Sequence, residues 1–168
     1  MLIGRIYDNT TSVTNSTFTA SQNDNSEVMG IVGCNFYAII TFLRITISNV
    51  VTYSSFGDGV LIGVTTNGTL NLLNSTITSK ITVSSANYYQ GVIQGIIDLA
   101  CSFVIQNVRL NLYLPTGNSY MGAFGNVNSG CVATMSVSNF TMNITGLKCF
   151  QSDSGTVTKT VWTTVGCT

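Results

Sequence analysis

Six acidic side chains are the groups in this 168-residue chain that could carry acid–base chemistry. They are Asp8, Asp24, Glu27, Asp58, Asp98 and Asp153. Polysaccharide hydrolysis needs two carboxylates that flank one bond, but these six fall at unrelated positions of the repeat described below. The chain has no histidine, which excludes His-based nucleophilic catalysis and His-ligated metal sites. The sequence therefore predicts no catalytic residue, no metal site and no cofactor, and we expect the protein not to be an enzyme.

Five cysteines are the other reactive groups. Cys101 and Cys131 each follow a repeated glycine by six residues, which predicts that they stack in adjacent repeats about 4.8 Å apart. That spacing lies within the range of a disulfide, but parallel side-chain directions make such a bridge awkward. A column of buried thiols, with Ile39 and Thr69 at the same position in earlier repeats, is therefore favoured over a disulfide. The remaining cysteines fall out of register, and without a CxxC pair we expect no zinc site; they are Cys34, Cys149 and Cys167.

The elements that would position these groups come from an internal repeat. Four short apolar runs end in a glycine, and these glycines are separated by 30, 32 and 30 residues: Gly33, Gly63, Gly95 and Gly125. A small residue follows each glycine by five positions: Ala38, Gly68, Ala100 and Gly130. Further on, a large apolar residue opens a run in which apolar and polar residues alternate: Ile47, Ile77, Val108 and Phe140. This alternation, with Thr and Val enriched, is typical of β-strands.

A unit of about 30 residues with three short strands cannot bury its apolar face alone, so the units must stack. We predict an all-β fold, a right-handed parallel β-helix (β-solenoid) of five to six coils with three short strands per coil. The handedness follows the usual chirality of parallel crossovers. Each closing glycine should turn a corner with a positive φ. The small residue five positions later should lie at the next corner, where a bulky side chain would collide with the neighbouring coil.

The chain is predicted to be one β-solenoid domain over residues 1–168. Regular coils should occupy about 1–145, and an irregular terminal coil or cap 146–168. We expect this domain to be a segment of a longer repeat protein. The first coil begins at Leu2, Ile3 and Gly4 without a cap, which predicts an exposed parallel edge and end-to-end self-association.

Two stretches carry a resemblance to a known class of repeat: "GVIQGIIDLACSFVIQNVRL" and "MGAFGNVNSGCVATMSVSNFTM". They resemble the degenerate glycine-rich repeats of extracellular β-helix proteins, including the GLUG-type repeats of adhesins and the Asn/Ser/Thr-rich arrays in surface proteins of diplomonad protists. The resemblance covers roughly residues 1–145 and includes no catalytic residue. It implies an extracellular or cell-surface location and an adhesive or structural role.

The composition restricts the partners. Only 7% of the residues are charged, against about 25% in an average soluble domain, and six basic residues balance six acidic ones. Such a chain has no basic field for nucleic acid. Its apolar stretches are shorter than the roughly 20 residues of a membrane-spanning helix. The N-terminal MLIGRIYDNT lacks the apolar core of a secretory signal, so the chain is either not exported as written or cut from a longer protein.

Hydroxyl side chains flank the inward apolar positions of the long strand and predict two ladders: Thr17, Thr19, Thr46, Ser48, Thr76 and Thr78. We place Asn107 and Arg109, and then Asn139 and Thr141, at the same positions in later coils. The sequence favours a non-enzymatic scaffold or adhesin-like protein. The alternative is a β-helix that binds or degrades carbohydrate through this exposed sheet, aided by Tyr53 and Tyr113, and a remote alternative is ice binding by the Thr ladders. Carbohydrate or another protein is the expected partner.

Overall fold

A computed structural model of the chain describes residues 3–24, 31–53, 59–83, 90–113, 121–143 and 148–167. These residues form fourteen β-strands and no helix. The strands are β1 (Ile3–Tyr7), β2 (Thr10–Thr14), β3 (Thr17–Asp24), β4 (Val32–Phe36), β5 (Ile39–Leu43), β6 (Thr46–Tyr53), β7 (Ile62–Thr66), β8 (Thr69–Val83), β9 (Gln90–Asp98), β10 (Ala100–Tyr113), β11 (Met121–Val127), β12 (Val132–Met142), β13 (Lys148–Asp153) and β14 (Thr156–Val165).

The described strands pair in parallel and form two sheets. Sheet A has six strands in the order β1-β4-β7-β9-β11-β13, and sheet B follows the path β14-β12-β10-β8-β5-β2 with β3 and β6 beside it. Each strand of sheet A belongs to a successive repeat, so the described chain forms six coils. In the first two coils the second and third strands are separate; in the next three they are continuous in β8, β10 and β12. The prediction of an all-β parallel solenoid is confirmed.

Insertions at one corner change the register between coils. Thr66 pairs with Asp98 in sheet A, whereas Thr69 pairs with Ser102 in sheet B, so the fourth coil has one residue more at the corner between the sheets. At the same corner the fifth coil has two residues more than the fourth, because Ile97 pairs with Val127 but Ala100 pairs with Val132. In the later coils, residues that follow their repeated glycine by the same number of positions are therefore not aligned with one another.

The interior is filled by columns of apolar side chains at equivalent positions of the coils. One column of buried side chains contains Ile40, Leu70, Phe103 and Met135. Phe124 of sheet A contacts Phe103 edge-on at 6.1 Å between ring centroids and joins the two sheets. Each buried large side chain contributes about 1.5–3 kcal/mol to stability, so the stacked columns supply the burial that a single repeat lacks.

The chain turns at two columns of residues with left-handed backbone. The first corner joins sheet A to sheet B at Asp8, Tyr37, Asn67 and Leu99, with φ values from 43° to 58°. The second corner divides the long strands at Asn15, Arg44, Asn74, Asn107, Asn139 and Thr164, with φ values from 49° to 52°. Asparagine occupies four of the six positions at the second corner, because its short polar side chain tolerates this conformation better than most.

The repeated glycines do not turn these corners, so that part of the prediction is wrong. The four lie inside the strands of sheet A: Gly33, Gly63, Gly95 and Gly125. Among the described glycines only Gly130 has a positive φ, of 78°. A Cβ on Gly125 would lie 1.8 Å from the carbonyl oxygen of Gly95, and one on Gly91 would lie 2.2 Å from the nitrogen of Gly125. Glycine is needed at Gly91 and Gly125 because backbones of neighbouring coils approach closely there.

The small residues predicted at the next corner form a column in part only. Ala38 and Gly68 are adjacent, since Ile39 pairs with Thr69, and a Cβ on Gly68 would lie 2.5 Å from Nδ2 of Asn35. Because of the corner insertions, the next members of this column are Cys101 and Ala133. Placing Ala100 and Gly130 in the column is therefore wrong, and both are exposed.

Candidate functional site

An asparagine ladder runs along the second corner. Nδ2 of Asn107 donates a hydrogen bond to Oδ1 of Asn74 at 2.9 Å, and Nδ2 of Asn139 donates to Oδ1 of Asn107 at 2.9 Å. All three side chains are exposed. Parallel stacking places identical amides one strand spacing apart, about 4.8 Å, where each donates to the next. The ladder holds a polar edge in a fixed geometry.

The two hydroxyl ladders lie beside this edge on the third strand of each coil. Thr17 pairs with Thr46 and Thr46 with Thr76, while Thr19 pairs with Ser48 and Ser48 with Thr78. The Thr17, Thr46 and Thr76 ladder continues through Arg109 to Thr141. The other continues through Asn111, whose Nδ2 donates to Oγ1 of Thr78 at 3.3 Å.

The register shift corrects the later rungs. Val108 was expected to follow Ile77 but pairs with Ser75, whereas Ile77 pairs with Leu110. Asn107 therefore belongs to the asparagine ladder and not to the hydroxyl ladders. Asn139 likewise belongs to the asparagine ladder, while Arg109 and Thr141 are in register with Thr76 and not with Thr78.

One face of the solenoid thus carries a grid of outward side chains, which we call the polar face. It comprises Thr76, Thr78 and Lys80 on β8, Arg109, Asn111 and Tyr113 on β10, Thr141 on β12, and Asn143 just after β12. Lys80 pairs with Tyr113, which is 60% exposed. Lys80 and Asn111 were not among the predicted ladder residues, although both lie at the outward parity of their strands. The side chain of Tyr53, which was predicted to aid carbohydrate binding, lies outside the described residues.

Two open depressions flank Arg109 on the polar face. One, of about 350 Å³, lies toward the second corner and is lined by residues that include Asn74, Asn107, Asn139 and Thr141. The other, also about 350 Å³, lies toward the strand ends and is lined by Asn111, Thr141 and Asn143 among others. Arg109 lines both. We call the two together the Arg109 groove.

The predicted column of Cys101 and Cys131 is wrong, because Cys101 pairs with Ala133. Ile39 and Thr69 do not precede Cys101 in a column either, since Thr69 pairs with Ser102. Both thiols are free and buried. They approach the same corner segment: Sγ of Cys101 donates to the carbonyl oxygen of Asp98 at 3.1 Å, and the backbone nitrogen of Leu99 donates to Sγ of Cys131 at 3.0 Å.

The environment of the free thiols makes them poor nucleophiles. Burial raises the pKa of Cys101, and burial together with the Asp98 carboxylate raises the pKa of Cys131. Burial also raises the pKa of the half-buried Cys34, a rise that the charge of Arg5 opposes. Thiolate is the reactive form, so all three side chains act as small apolar groups at neutral pH.

A disulfide joins Cys149 and Cys167, with an S–S distance of 1.98 Å and a separation of 18 residues. Both cysteines are out of register with the repeat, so the repeat alone did not predict this pair. They lie near the two ends of the sixth coil, one in β13 and the other just after β14. Their shared place in the terminal stretch was the signal that could have paired them.

The acidic residues remain dispersed where their side chains are described. Asp8 turns the first corner of the first coil. Asp98 lies beside that corner in the fourth coil, where Asn128 donates a hydrogen bond to its carboxylate at 3.3 Å. Glu27 and Asp58 lie outside the described residues, as do the side chains of Asp24 and Asp153. The described residues contain no cluster of three or more potential metal ligands.

Comparison with protein-family models, curated proteins and solved structures finds no match. Among the residues that the structure describes, no helix is long and apolar enough to cross a membrane.

Proposed function

We propose that the chain is a non-enzymatic scaffold of a secreted or cell-surface protein, an adhesin-like β-solenoid that presents the polar face to partners. The observation that carries the proposal is the stack of six parallel coils. Stacked coils hold outward side chains at a constant spacing of about 4.8 Å. Such a surface recognises partners by shape and repeated hydrogen bonds and requires no reactive group.

The disulfide supports the extracellular part of the proposal. Disulfides persist in oxidising compartments and are rare in the cytosol, and the bond between Cys149 and Cys167 closes the terminal coil. The surface chemistry agrees with this location, because hydroxyl and amide groups dominate a chain with only 7% charged residues.

Antibody labelling of intact cells that express the parent protein tests this proposal. We expect labelling without permeabilisation, or the protein in the culture medium. Labelling that appears only after permeabilisation would contradict it. Purified protein should also leave the chain length of neutral and acidic polysaccharides unchanged in size-exclusion chromatography. Shortened chains would instead support the polysaccharide-degrading alternative.

Contact between coil ends is a second part of the proposed role. β1 and β13 are the outer strands of sheet A among the described residues, and an outer strand offers backbone donors and acceptors to a further parallel strand. We expect concentration-dependent association in sedimentation velocity. A single monomer boundary at all concentrations would argue against it.

A further inference from the structure

We propose that the Arg109 groove binds an anionic carbohydrate. The Arg109 guanidinium would hold the carboxylate of a sugar acid, and the flanking amides and hydroxyls would bind sugar hydroxyl groups. This inference rests on the proposed function only in that the polar face must be accessible to an external polymer.

The charge of the polar face favours an anion. Arg109 and Lys80 are exposed, lie on neighbouring strands and form no ion pair with any described residue. Arg109 is the one charged side chain among the groove-lining residues. A guanidinium presents a planar set of donors that matches a carboxylate with two parallel hydrogen bonds. Since nothing described satisfies it, the guanidinium is available to an anionic ligand.

The neutral groups around Arg109 favour a carbohydrate over a small inorganic anion. Each ladder asparagine carries two N–H donors, and Asn107 and Asn139 each use one in the described ladder bonds. Thr76 and Thr141 add hydroxyls that both donate and accept. Sugar hydroxyls need partners of both kinds. The groove therefore offers amide and hydroxyl partners on both sides of the charge.

The shape of the groove favours a chain over a single sugar. Each depression of about 350 Å³ lies at the lower end of the roughly 300–1,000 Å³ of small-ligand sites. Because Arg109 stands between them, a ligand bound to the guanidinium can continue on either side. Tyr113 lies four residues beyond Arg109 on β10 at the same outward parity, about 13 Å away. Its exposed ring can pack against the apolar face of a sugar ring further along the chain.

Binding of defined alginate oligosaccharides tests the proposal. Fluorescence anisotropy with labelled oligouronate would be compared with the same oligosaccharide after reduction of its carboxyl groups. We expect saturable binding of the acidic form, at least about tenfold weaker binding of the reduced form, and weakening as salt is raised. Equal binding of the two forms would overturn the proposal, and so would no binding of either.

Three substitutions locate the site. Arg109→Gln removes the charge from an exposed side chain and should weaken binding at least about tenfold. Lys80→Gln should weaken it less, because Lys80 does not line the groove. Arg5→Gln makes the same charge change on sheet A and should leave affinity unchanged. Thermal unfolding of each variant confirms folding. If Arg109→Gln binds as Arg5→Gln does, the assignment fails.

A competing polyanion distinguishes specific recognition from charge attraction. We expect single-stranded DNA of similar charge to displace the oligouronate poorly, because it lacks the sugar-acid carboxylate. Efficient displacement would overturn the carbohydrate assignment. The binding assay uses purified protein and is independent of antibody labelling. Binding without surface labelling would preserve the site and reject the proposed location, and the reverse result would reject the site alone.

Discussion

Replacement of Gly125 by alanine distinguishes between two reasons for a repeated glycine. If the glycine served a left-handed corner, alanine would cost mainly backbone strain. The structure instead places Gly125 within β11, with no positive φ, against the backbone of Gly95. In an unobstructed strand, alanine would be favoured over glycine by roughly 0.5–1 kcal/mol. At Gly125, the close approach of the Gly95 backbone makes the alanine variant less stable than the glycine protein.

The size of the effect follows from the distance between the two backbones. The added Cβ would lie 1.8 Å from the carbonyl oxygen of Gly95, whereas real Cβ contacts essentially never fall below 3.0 Å. The neighbouring strands must then separate locally by at least about 1.2 Å, which takes adjacent N–H···O bonds beyond hydrogen-bonding distance. Two lost bonds at about 1 kcal/mol each and an overpacking cost of 1–3 kcal/mol give about 3–5 kcal/mol.

Gly130→Ala is the matched control. Gly130 has a φ of 78° and open space around its Cβ position, so alanine there should cost only about 1–2 kcal/mol of left-handed strain. Urea unfolding followed by circular dichroism measures both. With a slope of about 2 kcal/mol per molar urea, the midpoint should fall by ~1.5–2.5 M for Gly125→Ala and by less than about 1 M for Gly130→Ala. Equal shifts, or a larger shift for Gly130→Ala, would refute the close-approach explanation.

Three further predictions concern buried and half-buried side chains. Asn35 is fully buried, and neither side-chain polar atom has a described partner, so Asn35→Leu should raise the unfolding free energy by about 1–3 kcal/mol. Thr65→Val should lower the unfolding free energy by about 1 kcal/mol, because the Thr65 hydroxyl donates to Gln94 at 2.9 Å. Urea titrations of both variants measure the two changes. A destabilised Asn35→Leu would mean that the Asn35 amide has hydrogen-bond partners. In a thiol-reagent assay on the native protein, half-buried Cys34 should react first and buried Cys101 and Cys131 only after unfolding. Equal native rates for the three would contradict their burial.

The repeat was readable from the sequence because its causes are local and periodic. Spacings near 30 between Gly33, Gly63, Gly95 and Gly125, with alternating apolar residues after each, required stacked parallel coils. The first three rungs of the hydroxyl ladders followed from the same spacing, because those coils have uniform offsets. The purpose of the glycines did not follow, since backbone approach between coils leaves no mark on a single repeat.

The sites in later coils could not be located from the glycine period. One extra residue at the first corner of the fourth coil and two in the fifth shift all later positions relative to the glycines. Val108 lies two residues before Leu110, which aligns with Ile77, and a displacement of two residues returns each side chain to the same side of the strand. The alternation therefore gave no warning that Val108 is aligned with Ser75.

The sequence by itself determined the class of fold, the coil length and the outward polarity of the third strand, because burial and strand periodicity act within each repeat. Only the tertiary structure decided which residues of different coils are neighbours. It placed Arg109 in line with Thr76, brought Lys80 beside Tyr113, and joined Cys149 to Cys167. Those neighbours depend on hydrogen-bond register across corners of unequal length, which is a property of the assembled stack.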